Sequence, residues 1–164
     1  MQKILFSPAF KTLILAHLKD ILTFLLEKGV GFNIMCDMKH THFDPVLPEH
    51  ISSTFGDVAT FVLTGYSFES IVLQKDGIDF EAGFGSENMV SLVHIAYEGV
   101  VLIYLHDSDL LRDISLFTNV SHPFFYDISA EELNEIASVQ EEGLEHSRLA
   151  FTSNPENSKF LKNN

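Results

Sequence analysis

The chain has 164 residues, 46% of them apolar, with 15 Phe and no Trp. That is enough to build one packed domain with a tail, and it excludes global disorder. Lys and Arg total 10 against 23 Asp and Glu, a formal charge of −13; this argues against non-specific nucleic-acid binding, which needs cations to displace counterions, and favours basic or apolar partners.

Cys36 is the only cysteine, so no internal disulfide forms and nothing points to an oxidising compartment. The most apolar run, TLILAHLKDILTFLLEKG, is interrupted by His17, Lys19 and Asp20. It is too broken to span a bilayer, which takes about 18 or more clean apolar residues. The opening MQKILFSPAF lacks a small-residue cleavage site after a continuous apolar core. The expectation is a cytoplasmic protein with neither signal peptide nor membrane segment.

The first element is a helix. Ser7 is placed to cap it, Pro8 to occupy its first turn, and Gly29 to stop it, with Lys28 in the last turn. Its apolar residues cover more than one face. Either a second face buried in its own domain or a twin helix in a dimer accounts for that surplus width. FNIMCDM then alternates, with Phe32, Ile34, Cys36 and Met38 on one face. Lys39 to Pro45 read as a connection, and FDPVLPEH, with its two prolines, as loop or edge. DVATFVLTGY is a strand. FESIVLQKDGIDFEAGFG predicts a hairpin, two strand-like runs around Asp76-Gly77. MVSLVHI and GVVLIYLHD add two more strands, so the domain is α+β and antiparallel. Past Asp107 the pattern weakens. DLLRDISLF reads as a short helix or a closing strand, and SAEELNEIASVQEEG, with the capping-box spacing of Ser129 and Glu132, as a short acidic helix. The remainder is polar, with one basic-apolar island, Lys159, Phe160, Leu161 and Lys162.

The motif that invites chemistry is MCDMKHTHFDP. His40-x-His42-x-Asp44 is how several metal-dependent hydrolases begin their site, but Pro45 stands where a further His belongs. Zinc needs three or four converging ligands, and one His-x-His in a connection does not supply them. No Gly-x-Ser-x-Gly elbow and no Gly-x-x-x-x-Gly-Lys loop occurs. Cys36 falls in an alternating apolar face, as a small core residue does. The expectation is no enzyme, no cofactor and no metal.

The order of elements resembles the stringent starvation protein B (SspB) family, adaptors of the ClpXP protease. The resemblance rests on the N-terminal helix, FNIMCDM, the proline-containing connection, the hairpin, the arm Phe80-Glu81-Ala82-Gly83-Phe84-Gly85-Ser86, and the alternating strand after it. It covers roughly residues 10–106. The chain departs from the family at Ser86, where a second glycine is usual, and at Glu87-Asn88, where an apolar-Pro pair is usual. The resemblance implies an Sm-like antiparallel β-barrel or sandwich with one helix, spanning residues 1–117 and followed by an acidic linker and tail over 118–164. It implies a homodimer through helix 8–28 and a groove for ssrA-type degradation-tag peptides, lined by Thr64, Gly65, Tyr66, Phe68, Ala82, Phe84, Gly85 and Ser86. The island Lys159, Phe160, Leu161 and Lys162 would dock on the ClpX unfoldase. Neither nucleic acid nor membrane is expected as a partner. The alternatives are an Sm-like nucleic-acid module, against which the charge weighs, and a metal-dependent hydrolase on His40, His42 and Asp44.

Overall fold

A computed structural model describes residues 2–126, 131, 132, 135 and 153–157. Glu131, Glu132 and Glu135 are helical. The expected cap at Ser129 and the island Lys159, Phe160, Leu161 and Lys162 lie outside the described residues.

The chain is a mixed α+β structure in which one long N-terminal helix packs with two four-stranded antiparallel sheets. A short helix α1 (Gln2–Leu5) leads into the long α2 (Pro8–Lys28). The Ser7 side chain accepts from the Phe10 N–H at 3.3 Å, and Gly29 closes the helix in the left-handed region at φ 66°. Both caps stand where their residue types require them: a hydroxyl satisfies an orphan N–H, and glycine carries no Cβ to clash at positive φ. Leu18, Leu22 and Leu25 are buried in the core, one face at i, i+4 and i+7. Leu13 and Phe24, 63% and 58% exposed, account for the surplus apolar width seen in the sequence.

The first sheet has the order β3-β1-β7-β8, built from β1 (Phe32–Asp37), β3 (Val58–Leu63), β7 (Val100–Asp107) and β8 (Arg112–Thr118). The second has the order β2-β6-β5-β4, from β2 (Thr41–Asp44), β4 (Val72–Leu73), β5 (Gly77–Phe84) and β6 (Met89–Ala96). Inner-face residues of both, with Phe32, Ile34 and Cys36 of β1 among them, meet the α2 leucines in one cluster. Ile34, Cys36, Ile78, Phe80, Val93, Ile95 and Ile103 are wholly buried. No described helix is long and apolar enough to cross a membrane.

Several expectations are corrected. Met38 leaves the strand and opens a 3₁₀ turn (Met38–His40). The stretch from Lys39 to Pro45 is more than a connection: Thr41–Asp44 pairs with β6, with Thr41 opposite Ile95 and Asp44 opposite Leu92. Four residues are too few to register a period of two. DVATFVLTGY is strand only to Leu63, after which Gly65, at φ 54°, opens the short helix α4 (Gly65–Glu69). A further short helix, α3 (Glu49–Ser52), lies between β2 and β3. The hairpin forms, but only Val72 and Leu73 pair, with Asp79 and Ile78. The Gln74 N–H donates to the Gly77 carbonyl at 2.8 Å, so Lys75 and Asp76 are the central pair of the turn. Gly77 itself begins β5, where a Cβ would stand 2.4 Å from the Ile95 carbonyl oxygen. Of the two readings of DLLRDISLF, the closing strand holds, as β8. Beyond it Asn119, Ser121 and His122 are still buried, and the Tyr126 ring meets Phe6 edge-on at 5.2 Å.

Candidate functional site

The second sheet has an open flank. β5 pairs with β6 along all eight of its residues, but β4 covers only the Ile78–Asp79 end of its other side. In an antiparallel sheet alternate residues direct their backbone groups to opposite neighbours. The Glu81 N–H points away from β6 and donates to Ser70 Oγ at 2.8 Å, so the backbone groups of Gly83 point to the same open side. Among the described residues no strand pairs with β5 beyond Asp79, and none pairs with the outer edge of β3. The two edges share a floor of aromatic rings. Phe61 of β3 lies 5.5 Å from Phe80 and 6.2 Å from Phe84 of β5. Phe84 also meets Phe43 at 5.5 Å and Phe55 at 6.1 Å.

The residues expected to line a peptide groove divide along this flank. Thr64 and Gly65 are exposed at the start of α4. Tyr66, 64% exposed, donates its hydroxyl to Glu81, and this hydrogen bond pushes the phenol pKa above its ordinary value. Phe68 turns inward, edge-on to Phe32 at 6.5 Å, and serves the core. Ala82 and Phe84 are half-buried on the inner side of β5. Phe84, Gly85 and Ser86 come together with His50, Ile51, Thr54, Phe55 and Glu87 around a pocket of about 260 Å³. Its floor is apolar (Ile51, Phe55, Phe84) and its rim polar. Gly85 adopts φ 71°, and a Cβ there would stand 3.0 Å from Ile51 Cδ1, so a close approach and a left-handed backbone both select glycine. Sequence reading missed the α3 contribution because a single helical turn leaves no periodicity to read.

A second, larger cleft of about 850 Å³ opens between α2 and three 3₁₀ turns (Met38–His40, Tyr97–Gly99 and Pro123–Phe125), with Lys11, Lys39, Glu98, Ser121 and Phe124 on its walls. At its base Asp37 gathers three donors. The His40 backbone N–H reaches Oδ1 at 2.8 Å, the His40 ring Nδ1 stands 2.8 Å from both oxygens, and His122 Nε2 stands 2.7 Å from Oδ2. Because His122 Nδ1 accepts from the Phe124 N–H at 3.1 Å, its proton sits on Nε2 and is donated to Asp37. Burial raises the Asp37 carboxyl, but the bonds from His122 and His40 outweigh it and hold the group below its usual range.

The three polar residues of the His-x-His-x-Asp stretch therefore do not converge. His40 belongs to the Asp37 cluster, while exposed His42 stands opposite His94 on β6 and Asp44 opposite Leu92. Among the described residues no group of three or more His, Cys, Asp and Glu is placed to hold a metal ion. Cys36 is buried in the core. Desolvation, against a hydrogen bond from Thr41, pushes its thiol up to about 11, the condition of an unreactive core residue.

Compared with protein-family models and with curated proteins, the chain matches none.

Proposed function

We propose that the protein is a non-enzymatic adaptor of the SspB kind. It would bind ssrA-type degradation-tag peptides and bring tagged polypeptides to the cytoplasmic ClpXP protease. The observation that carries the reading is the unpaired flank of β5 beside the Phe84 pocket. An extended peptide can join such an edge as a further strand. Its main chain would then meet the Glu81 carbonyl and the backbone groups of Gly83, the Glu81 N–H being held by Ser70 Oγ, and alternate side chains would meet the surface on either side. Tyr66 and Ser86 would border the ligand, and the ring cluster around Phe84 would support it from below. Gly83 and Gly85 leave room for a backbone to approach.

Other parts of the reading have their own support. Exposed Leu13 and Phe24 on α2 suit a dimer through that helix. Closure of the two sheets as an Sm-like barrel belongs to the same proposal. A tail ending near Lys159 to Lys162 would act as a tether, raising the local concentration of substrate at the unfoldase so that weak contacts at both ends suffice.

Binding of a fluorescent ssrA-type peptide to the full chain tests the proposal. Saturable binding is expected, and its absence up to high micromolar peptide would sink the reading. Removing Lys159 to Asn164 should abolish stimulated degradation by ClpXP and leave peptide binding intact.

A further inference from the structure

The larger cleft, beside α2, shares no residue with the pocket at Phe84 and has no part in the peptide groove. Its base is fixed. Asp37, only 9% exposed, already accepts from His40 and His122 and has little left to offer a ligand. The walls differ. Lys11 on α2 and Lys39 on the first 3₁₀ turn are exposed there, and neither has an ion pair among the described residues. Asp57, just before β3, lines the same cleft, exposed and likewise without an ion pair among the described residues. Glu98 adds a second exposed carboxylate, 3.5 Å from the His40 ring. Two ammonium groups and two carboxylates thus line one cleft without pairing with each other. The remaining wall is apolar. Ile14 and Leu15, at i+3 and i+4 from Lys11, share its helix face, and Val58 and the half-exposed Phe124 belong to the same lining.

We infer that this cleft binds a small dipolar ligand: an α-ammonium group and a carboxylate on one apolar body, as in a free apolar amino acid or a short peptide with both termini free. Charge decides the class. A net anion is repelled by a chain of formal charge −13. A net cation is drawn by the chain as a whole but leaves Lys11 and Lys39 facing like charge. A neutral dipole escapes both penalties: its carboxylate meets the lysines, its ammonium meets Asp57 and Glu98, and its body covers the apolar wall. The cleft volume, about 850 Å³, is that of an ordinary small-molecule site.

Isothermal titration calorimetry on the full chain tests this with four probes: leucyl-phenylalanine, its N-acetyl form, its C-terminal amide, and free phenylalanine. The dipeptide should bind saturably, and removing either of its charges should weaken it at least about tenfold. Lys11→Gln together with Lys39→Gln should cost the dipeptide at least about fivefold and leave the amide within about twofold. Asp57→Asn together with Glu98→Gln should cost the dipeptide as much and leave the N-acetyl form unmoved. All four side chains are exposed, so the urea midpoint of each variant should match that of the wild type. With this charge dependence, tighter binding of the dipeptide than of phenylalanine identifies a short peptide as the ligand, and the reverse order a free amino acid; both uphold the dipolar site. Equal affinity for capped and uncapped dipeptide overturns the proposal. Binding that survives both double substitutions lies elsewhere, at the Phe84 pocket for example, and also overturns it. So does a lack of saturation by the dipeptide and by phenylalanine up to about 10 mM. Each of these failures leaves the ssrA-peptide reading at β5 standing, since that reading is tested with a different probe at a different site.

Discussion

Replacing His122 by Ala removes one of the three donors to Asp37 and leaves a buried carboxylate short of a partner. The bond joins residues 85 apart in sequence and holds the segment after β8 against the end of β1. A hydrogen bond to a charged group contributes about 1.5–3 kcal/mol, and the two His40 donors remain. Loss of about 2 kcal/mol is therefore expected, equivalent to roughly 4–8 °C in Tm for a chain of this size. Urea unfolding, read as a change in midpoint at constant slope, measures it. The effect has a pH dependence of defined sign. The Asp37 carboxyl is depressed in the folded state, so its contribution is complete above the ordinary carboxylate range and is lost as pH falls through the depressed value. The gap between wild type and His122→Ala should close with it. A loss below about 0.5 kcal/mol at pH 7, or a gap that persists once Asp37 is protonated, would refute the reasoning, since neither fits a partner withdrawn from a buried carboxylate.

Three further outcomes are expected. Ser7→Ala should cost about 1 kcal/mol in urea unfolding through loss of the α2 cap; an unchanged midpoint would mean that the turn satisfies the Phe10 N–H by other means. Gly77→Ala places a Cβ 2.4 Å from the Ile95 carbonyl, and should lower stability by about 1–3 kcal/mol by overpacking, visible as a fall in Tm. The Cys36 thiol, pushed up to about 11 and enclosed, should resist iodoacetamide at pH 8 in the native protein and react once urea unfolds it; prompt native alkylation would show that the core opens around β1.

Where the determinants are local, the residues could be read directly. Ser7, Pro8 and Gly29 delimit α2 because caps depend on one residue type at one backbone position. β1, β5, β6 and β7 follow from alternation over six to eight residues. β2 and α3, at four residues each, leave too short a trace. The Asp76-Gly77 signal located the hairpin but misplaced its centre, because Gly77 is needed for its close approach to Ile95 and not for a positive φ.

The candidate site divides the same way. Phe84 and Gly85 stood out in the arm Phe80 to Ser86, and the pocket contains them. Phe68 did not reveal that it packs on Phe32, nor did Ile51 and Phe55 show that they complete the pocket wall. The sequence by itself determined an acidic α+β domain with one capped helix and a run of antiparallel strands, since composition and periodicity are properties of neighbours along the chain. Only the tertiary structure decided that β4 stops after two residues and leaves β5 open. It alone brought His122 to Asp37 and dispersed His40, His42 and Asp44, because edges, pockets and buried hydrogen bonds arise between segments that no local pattern connects.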